Sequence, residues 1–395
     1  MKMIYDFDTV YDRRNTNSLK WDFAAERHHS EDELSLWVAD MDFRSPDPIL
    51  KALHDVVDRG FFGYTADKKE DREIVCSWFE RRHGYAYDPE DMIFAPGVVY
   101  ALTQAVNGIT EPGDAVMISE PVYYPFSALV KDAGRRLVRN VLIHDEEEHY
   151  GIDFDIFEKQ IKDNDVKVYI LCSPHNPVGR VWTKEELLKI GDICLANKVT
   201  VFSDEIHADF VYGDNKHIPF ASISPEFEQN SVTFTSPSKT FNLAGLQIAE
   251  IIARDEKKRA AVKKAVNATG YAEVPVTGLA AMRAAYTECD GWVDETVSYI
   301  WKNILYMKDH IDEKIPQLKM KLPEGTYLPW VDCRSLGYDR KELEDLIRNR
   351  AKLWLDAGYI FGESGTGWQR FNAACPKSII VEVMDRLEKA VNERI

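Results

Sequence analysis

The middle of the chain repeats one grammar: a short apolar run rich in Val, Ile and Phe, then a polar or Gly/Pro cluster, then a longer stretch with helical spacing. A strand buried on both faces reads as a continuous apolar run, and a parallel neighbour can be reached only through a crossover, usually a helix. This alternation predicts an α/β fold with a mostly parallel central sheet and helices on both faces. The expected strands are Ala115 to Ser119, Val168 to Cys172, Val199 to Ser203, Ser231 to Thr235 and Ile248 to Ala253. Thr183 with Glu186 forms a capping box that opens an amphipathic helix ending near Lys198.

The grammar changes near Glu288. A long amphipathic helical segment, Asp294 to Lys314, is followed by short strand-like pieces and a helix starting near Asp339. Three parts are expected: a large domain over 46–287, a smaller α+β domain over 288–395, and an N-terminal segment, 1–45, that packs with the small domain. With 395 residues, 45% of them apolar, the chain can bury cores of that size.

In an open parallel sheet, ligands bind beyond the carboxyl ends of the strands. The polar clusters fall there: Glu120-Pro-Val-Tyr123-Tyr124 after one run, Ser173-Pro-His-Asn176 after another, Asp204-Glu-Ile-His207 after a third and Ser236-Pro-Ser238-Lys239 after a fourth. One face would collect all four. Upstream, Ala95-Pro-Gly97-Val98-Val99 leads into a helix, where glycine lets backbone N–H groups approach an anion; it is a phosphate cup in outline or simply a turn. Gly362-Glu-Ser-Gly365-Thr-Gly367 follows no strand-to-helix unit of the dinucleotide kind, and no Walker A sequence is present.

Each chemical residue has a plainer reading beside it. Lys239 is either a desolvated, reactive amine or a loop lysine reaching solvent. Asp204, Glu205, His207 and Asp209 could ligate a metal, but nothing completes a familiar site, so no metal is expected. Arg370, set among aromatic residues, requires a carboxylate, from an internal Asp or Glu or from a substrate. The formal charge of -17 argues against nucleic acid and anionic lipid as partners. Six scattered cysteines without CxxC pairs, and no apolar run long enough for a bilayer, fit a cytoplasmic protein.

Taken together, these words resemble the fold type I pyridoxal-phosphate (PLP) enzymes, and in detail the MalY/PatB-type cystathionine β-lyase (C–S lyase) branch of the aminotransferase class I/II superfamily. They include Trp37-Val-Ala-Asp40-Met-Asp42-Phe, Phe62-Gly-Tyr64, Pro96-Gly-Val-Val, Glu120-Pro-Val-Tyr123-Tyr124-Pro-Phe, His175-Asn176-Pro-Val-Gly179-Arg, Ser203-Asp204-Glu-Ile-His207, Ser236-Pro-Ser-Lys239-Thr-Phe-Asn-Leu-Ala-Gly and Pro323-Glu-Gly-Thr-Tyr. They keep one order over nearly the whole chain.

The resemblance implies roles. Lys239 would hold PLP through an imine and then move the substrate Cα proton. Asp204 would keep the ring nitrogen protonated, Asn176 would reach the ring oxygen, and Tyr123 would stack on the ring. The N–H groups of Val98 and Val99, with Ser236, Ser238 and Tyr64 of a partner subunit, would hold the phosphate, which implies a homodimer sharing its active sites. Arg370 would grip the substrate carboxylate through two parallel hydrogen bonds. Trp37, Asp40, Tyr64 and Tyr124 would complete a substrate pocket that suits a thioether amino acid better than a dicarboxylic one. Many aminotransferases place Tyr at His207 and a basic residue at Gln247; the Asp-Glu-Ile-His word is shared with the C–S lyase branch. The expected activity is β-elimination from L-cystathionine or a related cysteine S-conjugate, giving a thiol, pyruvate and ammonia. A class I/II aminotransferase, or a regulatory binding protein that retains PLP, are the alternatives.

Overall fold

A computed structural model describes residues 4–145 and 149–393. Its centre is a seven-stranded sheet: β1 (Met92–Ala95), β2 (Ala115–Glu120), β3 (Arg136–Val141), β4 (Val166–Cys172), β5 (Thr200–Asp204), β6 (Ser231–Thr235) and β7 (Ala249–Ile252), in spatial order β1-β7-β6-β5-β4-β2-β3. Strands β2, β5 and β6 are buried at every residue, so they lack the apolar-polar alternation of a strand with one wet face, although Ser, Thr and acidic residues interrupt their apolar stretches. The pairs β2–β3, β2–β4, β4–β5 and β5–β6 are parallel. Only β7 runs the other way, antiparallel to both β1 and β6. The carboxyl ends of β1, β2, β4, β5 and β6 therefore share one edge.

Two buried layers cover the sheet. One is built on Ala101, Leu102, Ala105 and Val106 of the helix Val98–Ile109; the other on Phe157, Leu187 and Ile190 of the helices Phe154–Asn164 and Lys184–Ala196. The latter helix opens on the expected capping box, with Glu186 N–H donating to Thr183 Oγ1 at 3.1 Å and Thr183 N–H to Glu186 Oε2 at 2.8 Å.

The helix Asp290–Lys314 begins four residues before its expected start and leads into an antiparallel sheet of β8 (Lys319–Met320), β9 (Trp330–Asp332), β10 (Asp356–Ala357) and β11 (Trp368–Arg370), in order β8-β9-β11-β10. The chain's beginning joins its end: Leu34–Ser35 pairs in parallel with Leu353–Trp354. From there, Leu36 to Phe43 runs inward to the large sheet's carboxyl edge, where Met41 N–H donates to Asn242 Oδ1 at 2.9 Å. Among the described residues no helix is long and apolar enough to cross a membrane, and all six cysteines are buried and free.

Candidate active site

A cavity of about 360 Å³ opens at that edge, lined by residues from all four strand-end clusters and from the Gly97 cup, among them Val98, Val99, Tyr123, Asn176, Asp204, His207, Ser236, Ser238 and Lys239. Each arrives by a local device. Ser236 caps the one-turn helix Pro237–Thr240: its Oγ accepts Ser238 N–H at 3.0 Å and donates to the Ile248 carbonyl at 2.7 Å. That turn aims Lys239 back over the strand ends, where its Nζ donates to the Ala39 carbonyl at 2.8 Å. Burial pushes this ammonium down to about 8, against the opposing pull of Asp40 and Asp204.

Asp204 is the last residue of β5. Its Oδ1 accepts Ile206 N–H at 3.2 Å, and burial raises its carboxyl to about 7. A carboxylate so placed gains from a protonated nitrogen brought against it. Asn176 gives its Oδ1 to Arg370 Nη1 at 2.9 Å, which leaves its amide N–H₂ as a donor. His207 packs edge-on to Tyr327, with Nδ1 unpartnered; burial, then Lys239 and Arg370, hold the imidazole neutral. Tyr123 packs against Phe126 and Tyr124, and burial raises its phenol well above the ordinary range.

Opposite these groups, the helix Val98–Ile109 begins at Gly97 with no side-chain cap. Gly97 sits at φ 154°, and a β carbon built there would meet nothing within 4 Å, so the backbone angle rather than crowding requires glycine. The open N–H groups at a positive helix end make an anion site in one wall, beside Ser238 and Gln247. Ser236 differs from its expected part here, because its single hydroxyl hydrogen is already given to Ile248.

Several expected residues lie elsewhere. The indole of Trp37 stacks on Trp354 at 4.8 Å under the Arg27 guanidinium, so it faces away from the cavity; what it supplies inward is its carbonyl, which accepts from Arg370 Nη2 at 2.8 Å. Asp40 pairs with Arg13 at 2.6 Å and stands behind Ala39. Tyr124 is half-exposed and packs on Phe361. Tyr64 is 98% exposed and touches no part of the cavity wall within its own subunit. Arg370 stands one residue behind the wall, bonded to Asn176, the Trp37 carbonyl and Asp356. Residues 204–209 do not converge on a metal: Glu205 turns to Ser203, His217 and the Phe220 N–H, and Asp209 to Thr240.

Sequence reasoning passed over Tyr100, Cys172 and Ile206, which line the cavity, and Tyr327, whose hydroxyl donates to the same Ala39 carbonyl as Lys239, at 2.9 Å. Cys172 ends one expected strand and Tyr327 closes the Pro323-Glu-Gly-Thr-Tyr word, so position at a strand end and membership of a motif could have found both. An amine whose hold on its proton is weakened by burial, a carboxyl that gains from a cationic partner, a free amide donor and an uncapped helix end, in one cavity, fit the aldehyde, ring nitrogen, ring oxygen and phosphate of PLP.

Residues 32–387 match the model of the aminotransferase class I and II family, and the chain belongs to that family. Within it the chain is 41% identical to cystathionine beta-lyase PatB of Bacillus subtilis, over 98% of this chain and 100% of that one, and 32% identical to protein MalY of Escherichia coli, over 98% and 97%. Its structure is similar to that of cystalysin from Treponema denticola, which contains a pyridoxal 5'-phosphate cofactor: TM-score 0.95, 39% identity, 99% and 100% covered. It is also similar to the PLP-bound C–S lyase of Staphylococcus hominis, with TM-score 0.91, 31% identity and 98% of each chain covered.

Proposed function

We propose that this chain is a PLP-dependent C–S β-lyase that cleaves L-cystathionine or a related cysteine S-conjugate to a thiol, pyruvate and ammonia. The observation that carries it is the buried amine of Lys239, brought down to about 8, in one cavity with Asp204, in a chain 41% identical to a cystathionine beta-lyase. PLP supplies an aldehyde that condenses with amines and a ring that accepts the electron pair left when a bond at Cα breaks.

The protein's share is binding, orientation and proton movement. Lys239 would hold the aldehyde through its Nζ, and the same Nζ is the group placed to accept a proton from the substrate Cα. Asp204 would keep a proton at the ring nitrogen, Asn176 would donate to the ring oxygen through Nδ2, Tyr123 would pack on the ring, and His207, kept neutral, would offer a hydrogen bond without adding charge. The N–H groups of Val98 and Val99, with Ser236, Ser238 and Tyr64 of the partner subunit, hold the phosphate, and Ser236 must turn from Ile248 to take part. Arg370 would receive the substrate carboxylate and so fix the orientation of the groups at Cα. Asp40, Tyr124 and the backbone of Trp37 shape the substrate side.

The unit is a homodimer in a cytoplasmic setting, with a large domain over 46–287, a small one over 288–395 and the segment 1–45 joined to the latter. The exposed Phe61, Phe62 and Tyr64, at 85%, 65% and 98%, support a second subunit covering that corner. Purified holoenzyme given L-cystathionine and no oxo acid should release pyruvate and thiol in equal amounts. Turnover that appears only when an oxo acid is added would make the chain an aminotransferase instead.

A further inference from the structure

Arg370 has five N–H hydrogens, one on Nε and two on each terminal nitrogen. A carboxylate can take two parallel hydrogen bonds from a guanidinium along two edges. The side-on edge joins Nε to Nη2, and the end-on edge joins Nη1 to Nη2. Both edges need an Nη2 hydrogen, and both Nη2 hydrogens are committed, one to the Trp37 carbonyl at 2.8 Å and one to Asp356 Oδ2. Nη1 gives one to Asn176, and Nε is buried without a partner. As it stands, Arg370 can offer a substrate no two-point edge.

One acceptor must yield. The Trp37 carbonyl is fixed in a backbone tied on both sides: Asn372 N–H donates to the Leu36 carbonyl at 3.0 Å and Asn372 Nδ2 to that of Val38 at 2.7 Å. Asp356 sits on the two-residue edge strand β10, opposite Arg370 in register, and its carboxylate has no other hydrogen-bond partner among the described residues. Its withdrawal frees an Nη2 hydrogen, and with it one two-point edge, beside an Nε that has no partner.

We propose that Asp356 is a placeholder carboxylate, which neutralises Arg370 in the resting enzyme and is displaced when the substrate's carboxylate arrives. This rests on the reading that Arg370 receives that carboxylate. The exchange spares the fold a buried, unpaired guanidinium between turnovers, at the expense of substrate affinity, because each substrate must compete with an internal anion.

The test uses holoenzyme and 3-(methylthio)propionate, which carries the thioether and the carboxylate but no amine and so cannot be turned over. In Asp356→Asn the dissociation constant measured by calorimetry should fall about tenfold, the size of one charge-assisted hydrogen bond freed from competition. Asp356→Ser should move it the same way, and in a crystal of the wild-type complex the Asp356 to Arg370 contact should be open. Unchanged or weaker binding in the folded variants, or an intact contact beside bound probe, overturns the proposal and makes Asp356 a mere alignment group. If the wild type releases no pyruvate from any S-conjugate while these shifts appear, the lyase reading fails and the placeholder stands. Probe binding that is indifferent to Arg370→Gln overturns the placeholder.

Discussion

Of the cavity side chains whose protons are held abnormally, Lys239 and Asp204 shift in opposite directions. Lys239, brought down to about 8 from 10.5, is a free amine at pH values where an ordinary lysine is not. The rate at which apoprotein captures added PLP should therefore rise with pH around a midpoint near 8; a midpoint near 10, read from the absorbance of the bound cofactor, would show an ordinary solvated amine. Asp204 is raised from 3.8 to about 7, so between those values the folded apoprotein keeps a proton that the unfolded chain has lost. Its stability should fall as pH rises through that window and stay lowered above it. Asp204→Asn removes this cost. The variant apoprotein should be more stable at pH 8, by on the order of a few kcal/mol in urea unfolding, yet hold PLP far less tightly. At this scale the sequence was most legible where a residue's neighbours in the chain are also its neighbours in the site. Lys239, Asp204 and Asn176 each end a strand-to-loop word and each reach the cavity. Trp37 was misplaced because its partner, Trp354, lies over three hundred positions away and no local pattern announces the stack.

Among the elements, strands buried on both faces declared themselves by short stretches rich in Val, Ile and Phe, and Ser231–Thr235 was placed to the residue. The direction of a strand leaves no such trace: β7 is apolar like its neighbours, and its antiparallel course is set by the short link Pro237 to Ile248, which returns the chain down the adjacent position. The small sheet was only dimly legible because its strands are two or three residues long, too short for a period to show. The helix Val98–Ile109 shows how one backbone position serves a site. Gly97→Ala forces a β carbon onto φ 154° and should weaken PLP retention about tenfold, while far-ultraviolet circular dichroism stays native. Retention equal to wild type would mean that the loop adapts and the helix end is not the phosphate's main support.

For the whole molecule, the question is whether one subunit suffices. Tyr64 reaches nothing in its own cavity, so its assignment to the phosphate makes every site depend on two chains. Tyr64→Ala and Lys239→Ala homodimers should both be nearly inactive. Mixed dimers of the two contain one site with Lys239 from one chain and Tyr64 from the other, and should recover activity that neither parent has. No recovery in purified mixed dimers would place Tyr64 outside the site. The net acidic charge was readable in composition and the Phe62-Gly-Tyr64 word in motif, but the exposure of Phe61 beside it was not, because exposure is a property of the assembled surface.

The pairing of Leu34–Ser35 with Leu353–Trp354 also bears on how such a chain is made. During synthesis the first of these partners leaves the ribosome long before the second exists, so the stretch that carries Ala39 to Lys239 must wait, held on one side only by Asn242, until almost the entire polypeptide has emerged. An incomplete product, even one with all seven strands of the large sheet, would lack that clamp, which leaves competence for catalysis among the last things the nascent protein acquires.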